Sequence, residues 1–147
     1  MIEVSSTTVI EASPQAVWRV LTDFSQFHEW NPFIREAQGS TEIGSEVEVR
    51  VRPSLPVPLR FRAEILDCED CRELHWYGQV LGPWFASGDH TFTLEELGPH
   101  RVRFVQRERF SGILPWLGRR LLVREAERGF EAMNRALAER AREEEAS

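Results

Sequence analysis

Apolar positions two apart open the chain. "IEVSSTTVIEA" alternates and is rich in β-branched residues, which predicts a first strand. The period then lengthens. "SPQAVWRVLTDF" offers Ser13 as a helix N-cap and Pro14 at the first helical position, with Val17, Trp18, Val20 and Leu21 at helical spacing. A second short turn starts at Ser25, reaches Trp30 and stops against Pro32.

Period two then returns for most of the chain. "IREAQG" and "SEVEVRVR" predict two strands, the second with Val47, Val49 and Val51 inward. "RFRAEIL" continues with Phe61, Ala63 and Ile65 inward, and "RELHWYGQV" places Leu74 and Trp76 on one face. Three-residue loops at 81–83 and 97–99, both "LGP", predict two further hairpins. These pair Val80 with Trp84, Trp76 with Gly88, Phe92 with Phe104 and His90 with Gln106. Between the early strands, "PSLPVPL" is a proline-rich loop whose Leu55 and Val57 either pack down or form a stiff apolar lid. From Pro115 to about Ala141 the spacing is helical again, with Leu122, Ala126, Phe130, Met133, Leu137 and Ala141 as one stripe. Residues 142–147 are expected to fray.

The order is strand, two short helices, six strands, one long helix. An antiparallel sheet with one apolar face needs a cover, and the last helix is the long amphipathic element available. The expectation is an α+β fold, a curved sheet wrapped around its C-terminal helix, as one domain over 1–147.

Charge and composition narrow the function. A net charge of −6 argues against a nucleic-acid surface, which needs a basic face. No segment approaches the ~20 apolar residues of a membrane span, and no leader stands at the start, so the chain reads as soluble and cytoplasmic. Cys68 and Cys71 form a lone CxxC in a polar turn, without the further ligands zinc requires. No metal and no cofactor is expected, and these patterns specify no oligomeric state.

Four stretches are similar to a known family. "SPQAVWRVLTDFSQFHEWNPFI", "GSEVEVRV", "GDHTFTLEELGPHRVRFVQRERFSGIL" and the long final helix resemble the START and Bet v 1-like (SRPBCC) superfamily, in particular its polyketide cyclase/dehydrase-like group. The resemblance implies a helix-grip fold with an internal cavity, open at one end and suited to a hydrophobic small molecule.

The inward positions fit that expectation. Trp76, Trp84, Phe92, Phe104 and Phe110 come from the sheet and Phe130 and Met133 from the helix, with Gly78, Ala86 and Gly88 among them. Trp30 and Phe33 either plug the helix pair or stand at the mouth of the cavity. His90 is the polar residue on this greasy face, with Gln106 opposite and Glu108 diagonal to it. It serves as a satisfied structural histidine, as an anchor for a ligand's hydroxyl or carbonyl, or as a general acid/base. The leading expectation is therefore a binder or carrier of a lipid, aromatic polyketide or quinone-like molecule. The alternatives are a cyclase or dehydrase using His90, and a protein-interaction module.

Overall fold

The computed structural model describes residues 1–52 and 59–147. Leu55 and Val57, read as a possible lid, lie outside the described residues. Seven antiparallel strands form one sheet: β1 (Ile2–Ile10), β2 (Ile34–Gln38), β3 (Glu46–Val51), β4 (Leu59–Glu69), β5 (Glu73–Val80), β6 (Ala86–Gly98) and β7 (Arg101–Ser111). The spatial order is β1-β7-β6-β5-β4-β3-β2, so β1 pairs with β7 at the edge opposite β2, and each strand from β3 onward pairs with its predecessor. Among the described residues four α-helices complete the fold: α1 (Pro14–Thr22), α2 (Phe27–Trp30), α3 (Ile113–Leu117) and α4 (Arg119–Ala146). This is the helix-grip architecture, α+β, with α4 lying in the curl of the sheet.

Local chemistry explains the boundaries. Ser13 Oγ accepts from the Ala16 amide at 3.1 Å, and Pro14 needs no donor at the first helical position. α1 then buries Val17, Trp18, Val20 and Leu21. The chain leaves α2 through Asn31, whose Oδ1 accepts from the amides of Phe33 and Ile34 at 3.0 and 2.9 Å. On the outer face of the sheet the arginines pair with carboxylates across strands, Arg103 with Glu95 and Arg109 with Glu3 among them.

Both hairpin registers differ from the expected ones by two residues. The β5–β6 loop is five residues long and pairs Val80 with Ala86, so Trp76 faces His90 and Leu74 faces Phe92. Leu81 and Gly82 both take positive φ there, a conformation that a tight "LGP" turn does not require. The β6–β7 hairpin closes at Gly98 and Arg101 with a bulge between Glu96 and Gly98, which sets His90 opposite Glu108 and Phe92 opposite Gln106. A slip of two keeps every side chain on its face, so the inward set survives while its partners change.

Two helix boundaries are also corrected. The C-terminal helix does not start at Pro115: α3 ends at Leu117, Gly118 separates the two helices, and α4 begins at Arg119. Nor does the end fray at 142. α4 stays helical to Ala146, held where Glu145 Oε1 accepts from the Ser13 amide and meets His100 Nδ1, both at 2.9 Å.

The core divides in two. A large cluster, with Phe24, Phe27, Leu74, Trp76, Phe92, Phe104, Met133 and Leu137, lies under α1 and α2. A smaller one, Ile2, Val4, Ala126 and Phe130, lies toward α3 and is flanked by half-buried Phe33, Phe110, Leu122 and Val123.

Candidate functional site

His90 sits where the two clusters meet. Its ring stacks on Phe92 with centroids 4.1 Å apart, lies 5.1 Å from Phe130, and meets Trp76 edge-on at 5.9 Å. Imidazole in such surroundings must be satisfied, and it is. Nε2 lies 3.1 Å from Gln106 Oε1, and Nδ1 lies 3.2 Å from Glu108 Oε1.

The polar chain continues onto the grip helix. Gln106 Nε2 donates to Asn134 Oδ1 at 2.7 Å, and Asn134 Nδ2 donates to Ser6 Oγ on β1 at 3.1 Å. Five side chains from three strands and one helix thus form a connected line through the interior. With the amides in this orientation, Gln106 Oε1 accepts, so His90 Nε2 carries a hydrogen. Nδ1 then faces a carboxylate oxygen. That is the chemical capacity of the site: an imidazole–carboxylate pair in an apolar surround.

Of the His90–Glu108 pair, Glu108 is the one that reaches toward solvent, with its side chain 14% exposed against 4% for His90. Its carboxylate lies across Gly88, where a Cβ would collide with Oε2. Glycine at 88 is therefore a condition of the His90–Glu108 contact. Phe33 uses the same device on the other side: its ring lies on Gly129 of α4 and packs edge-on against Phe130 at 5.8 Å.

The structure sorts the expected site residues into groups. Trp76, Phe92, Gln106, Glu108 and Phe130 gather around His90. Phe33 and Phe110 are half-buried at the open end. Trp30 packs on Phe27 at 5.2 Å, and its Nε1 is buried with no partner among the described residues. Phe104 and Met133 are fully buried core. Trp84 is misplaced by the expected register: it lies in the β5–β6 loop, 67% exposed, outside the interior. Asn134 and Ser6 were not among the expected residues. Asn134 sits four residues after Phe130 and three before Leu137, so helical spacing alone puts it on the inward face.

The expected hollow does not run the length of the helix. Phe104, Phe130 and Met133 are 0% exposed, so no water-sized space touches them. Aromatic rings close the interior at that depth. A cleft of 150 Å³ opens beside Phe33, between Pro32, Arg52 and the α4 residues Gly129 and Ala132. A larger groove of 510 Å³ lies among the charged residues of β2, β3 and β4, away from His90.

Cys68 and Cys71 are both free thiols. Burial is the largest cause raising both above their ordinary range, and Asp70 adds to it. Raised thiols are poor nucleophiles. Asp67, Glu69 and Glu73 bring carboxylates within 4.8 Å of one another at the β4–β5 turn, an acidic cluster at the surface. Among the described residues, no helix is long and apolar enough to cross a membrane.

A curled sheet closed on one long helix, with a polar line through its middle, places this chain among the helix-grip proteins. Residues 1–142 match the model of the family described as polyketide cyclase/dehydrase and lipid transport, and the chain belongs to that family. Among solved structures it is similar to the Zhui aromatase/cyclase from Streptomyces sp. R1128, with TM-score 0.80 and 18% identity over 96% of this chain and 93% of that one. A START superfamily protein from Mycobacterium smegmatis gives TM-score 0.79 and 20% identity, covering 96% and 97%. Norcoclaurine synthase from Thalictrum flavum gives 0.73 and 11%, covering 97% and 94%. At these identities the likeness carries the fold alone. No curated protein matches the chain significantly.

Proposed function

We propose that this protein binds a small hydrophobic molecule bearing one polar group, taken in at the end of the interior that faces α3. The observation that carries the reading is the His90–Glu108 pair, buried on its imidazole side and reaching solvent through the carboxylate. Half-buried Phe33, Phe110, Leu122 and Val123 surround that end and offer apolar surface. Burial of a ligand against them contributes about 25 cal/mol per Å² before the costs of association. Glu108 accepts a hydrogen bond from a ligand hydroxyl, while His90 holds the carboxylate in place. A lipid, an aromatic polyketide or a quinone-like compound fits this description.

The test is titration with panels of these compounds, read by amide shifts of Ala86, Gly88 and Phe110. Binding with shifts confined to that end supports the reading. Compounds that move no signal there up to their solubility limit overturn it.

The same pair favours a second reading. A carboxylate paired with imidazole can take a proton from an activated carbon and return it to an oxygen, as cyclisation with loss of water requires. Under this reading Glu108→Gln binds the compound and loses turnover. Under the binder reading it only weakens affinity.

A further inference from the structure

The end of the molecule that carries α3 has an unusual surface. In the β5–β6 loop, Leu81 is 77% exposed and Trp84 67%. On α3, Trp116 is 73% exposed and Leu117 69%, with Ile113 and Leu114 about half exposed. These two segments are one surface. The Ile113 amide donates to the Trp84 carbonyl at 3.0 Å, and the Leu114 amide donates to the Phe85 carbonyl at 2.9 Å.

Charge around this patch opposes that of the chain. The whole protein carries −6, yet 81–88 has no charged residue of either sign, and 112–124 carries Arg119, Arg120 and Arg124 with no acid. All three arginines are exposed on the first turns of α4. Exposed tryptophan and leucine at a protruding tip, backed by arginine, is the composition that seats a protein in the headgroup region of an anionic bilayer. We infer that the β5–β6 loop, α3 and the start of α4 dock this protein on an anionic membrane surface, Trp84, Trp116 and Leu117 entering the acyl boundary and Arg119 and Arg120 meeting the headgroups. A bilayer suits the patch better than a protein partner does, because exposed tryptophan and leucine at a tip with arginine beside them match an acyl boundary and its anionic headgroups together. A bilayer needs no matching shape.

The inference goes beyond the ligand reading and does not depend on it, since docking is measured with no ligand present. The whole chain is sedimented with vesicles of phosphatidylcholine, alone or mixed with phosphatidylglycerol. The expected result is binding to the mixed vesicles about tenfold stronger than to the neutral ones, falling as salt is raised. Trp116→Ala with Leu117→Ala lowers binding about tenfold or more on the mixed vesicles. Arg119→Gln with Arg120→Gln lowers it about fivefold in total on the mixed vesicles, towards the neutral value, and leaves neutral vesicles unchanged. All four side chains are exposed, so the variants keep the parent's circular dichroism and melting temperature. Equal binding to both vesicle types overturns the inference, as does binding that ignores these substitutions. A parent dimer that the Trp116/Leu117 variant splits into monomers would also overturn it, by showing that a second copy covers the patch. Ligand titration can succeed or fail independently of each result.

Discussion

The two ends of the interior are built from the same alternating strands and come out differently. At one end α1, the short turn at Phe24–Gln26 and α2 lie across the sheet. Phe24 meets Phe27 at 5.4 Å and Trp76 at 5.9 Å, and the end of α4 is tied to Ser13 and His100. At the other end the cover is α3, five residues long, and the inward Phe110, Leu122 and Val123 stay half-buried. Inward-facing parity therefore does not decide whether a position is core or site. What lies over it does.

The strongest way to break this comparison is to truncate one ring at each end. Phe92→Ala at the closed end removes a fully packed ring and should cost about 3–5 kcal/mol in urea unfolding. Phe110→Ala at the open end removes a ring that is already partly solvated, and should cost about 1–2 kcal/mol. Equal costs would mean that both ends are packed alike, and the distinction would fall.

Much of this was legible in the sequence, and the losses have definite causes. Element order and inward parity followed from the spacing of Val47, Val49, Trp76, Phe92 and Phe104, because an even register slip cannot turn a side chain over. Register itself was not legible, since Leu81 at φ 54° and a bulge before Gly98 absorb residues that a tight turn would leave in the strands. That error turned Trp84 inward on paper. His90, Gln106 and Glu108 were grouped by their shared face, and the structure brings them together. Asn134 was passed over inside an apolar stripe although its spacing marked it. The extent of the hollow had no signature in sequence, because aromatic side chains line a cavity or fill one with the same pattern.

The polar line where the ends meet gives the next effects. Asn134→Leu keeps the branched shape but strips Gln106 Nε2 of its acceptor, and should cost about 1–3 kcal/mol. Combined with Ser6→Ala, the total should be less than the sum of the two single changes, because both act on one chain of hydrogen bonds. Additive costs would show the line to be a set of separate contacts. Gly88→Ala should cost about 1 kcal/mol and act mainly on geometry, pushing the Glu108 carboxylate off its seat. Nitrogen shifts of the His90 ring should move at Nδ1 far more than at Nε2. Unmoved shifts would mean that the carboxylate is not held by this packing.

The smallest effect concerns the tie that closes the far end. Hydrogen bonding to His100 is the largest cause holding the Glu145 carboxyl below its ordinary 4.5, and the Ser13 amide adds to it. A carboxyl lowered in the folded state contributes stability above its unfolded value and loses it as pH falls through the folded one. Acidification below about pH 4.5 should therefore release the last turn of α4 from Ser13, leaving the open end unchanged. Arg19 and Glu144 pair beside it at 3.3 Å. Hydrogen exchange at the Ser13 amide reads the event directly, because that amide is the donor to Glu145. A protection factor at Ser13, taken against the intrinsic rate at each pH, that falls in acid for the parent and is low at every pH for Glu145→Ala is the expected pair of results. Should Ser13 keep its protection in acid, the closed end is held by its rings alone, and the sealing role passes from the C-terminal turn to α1.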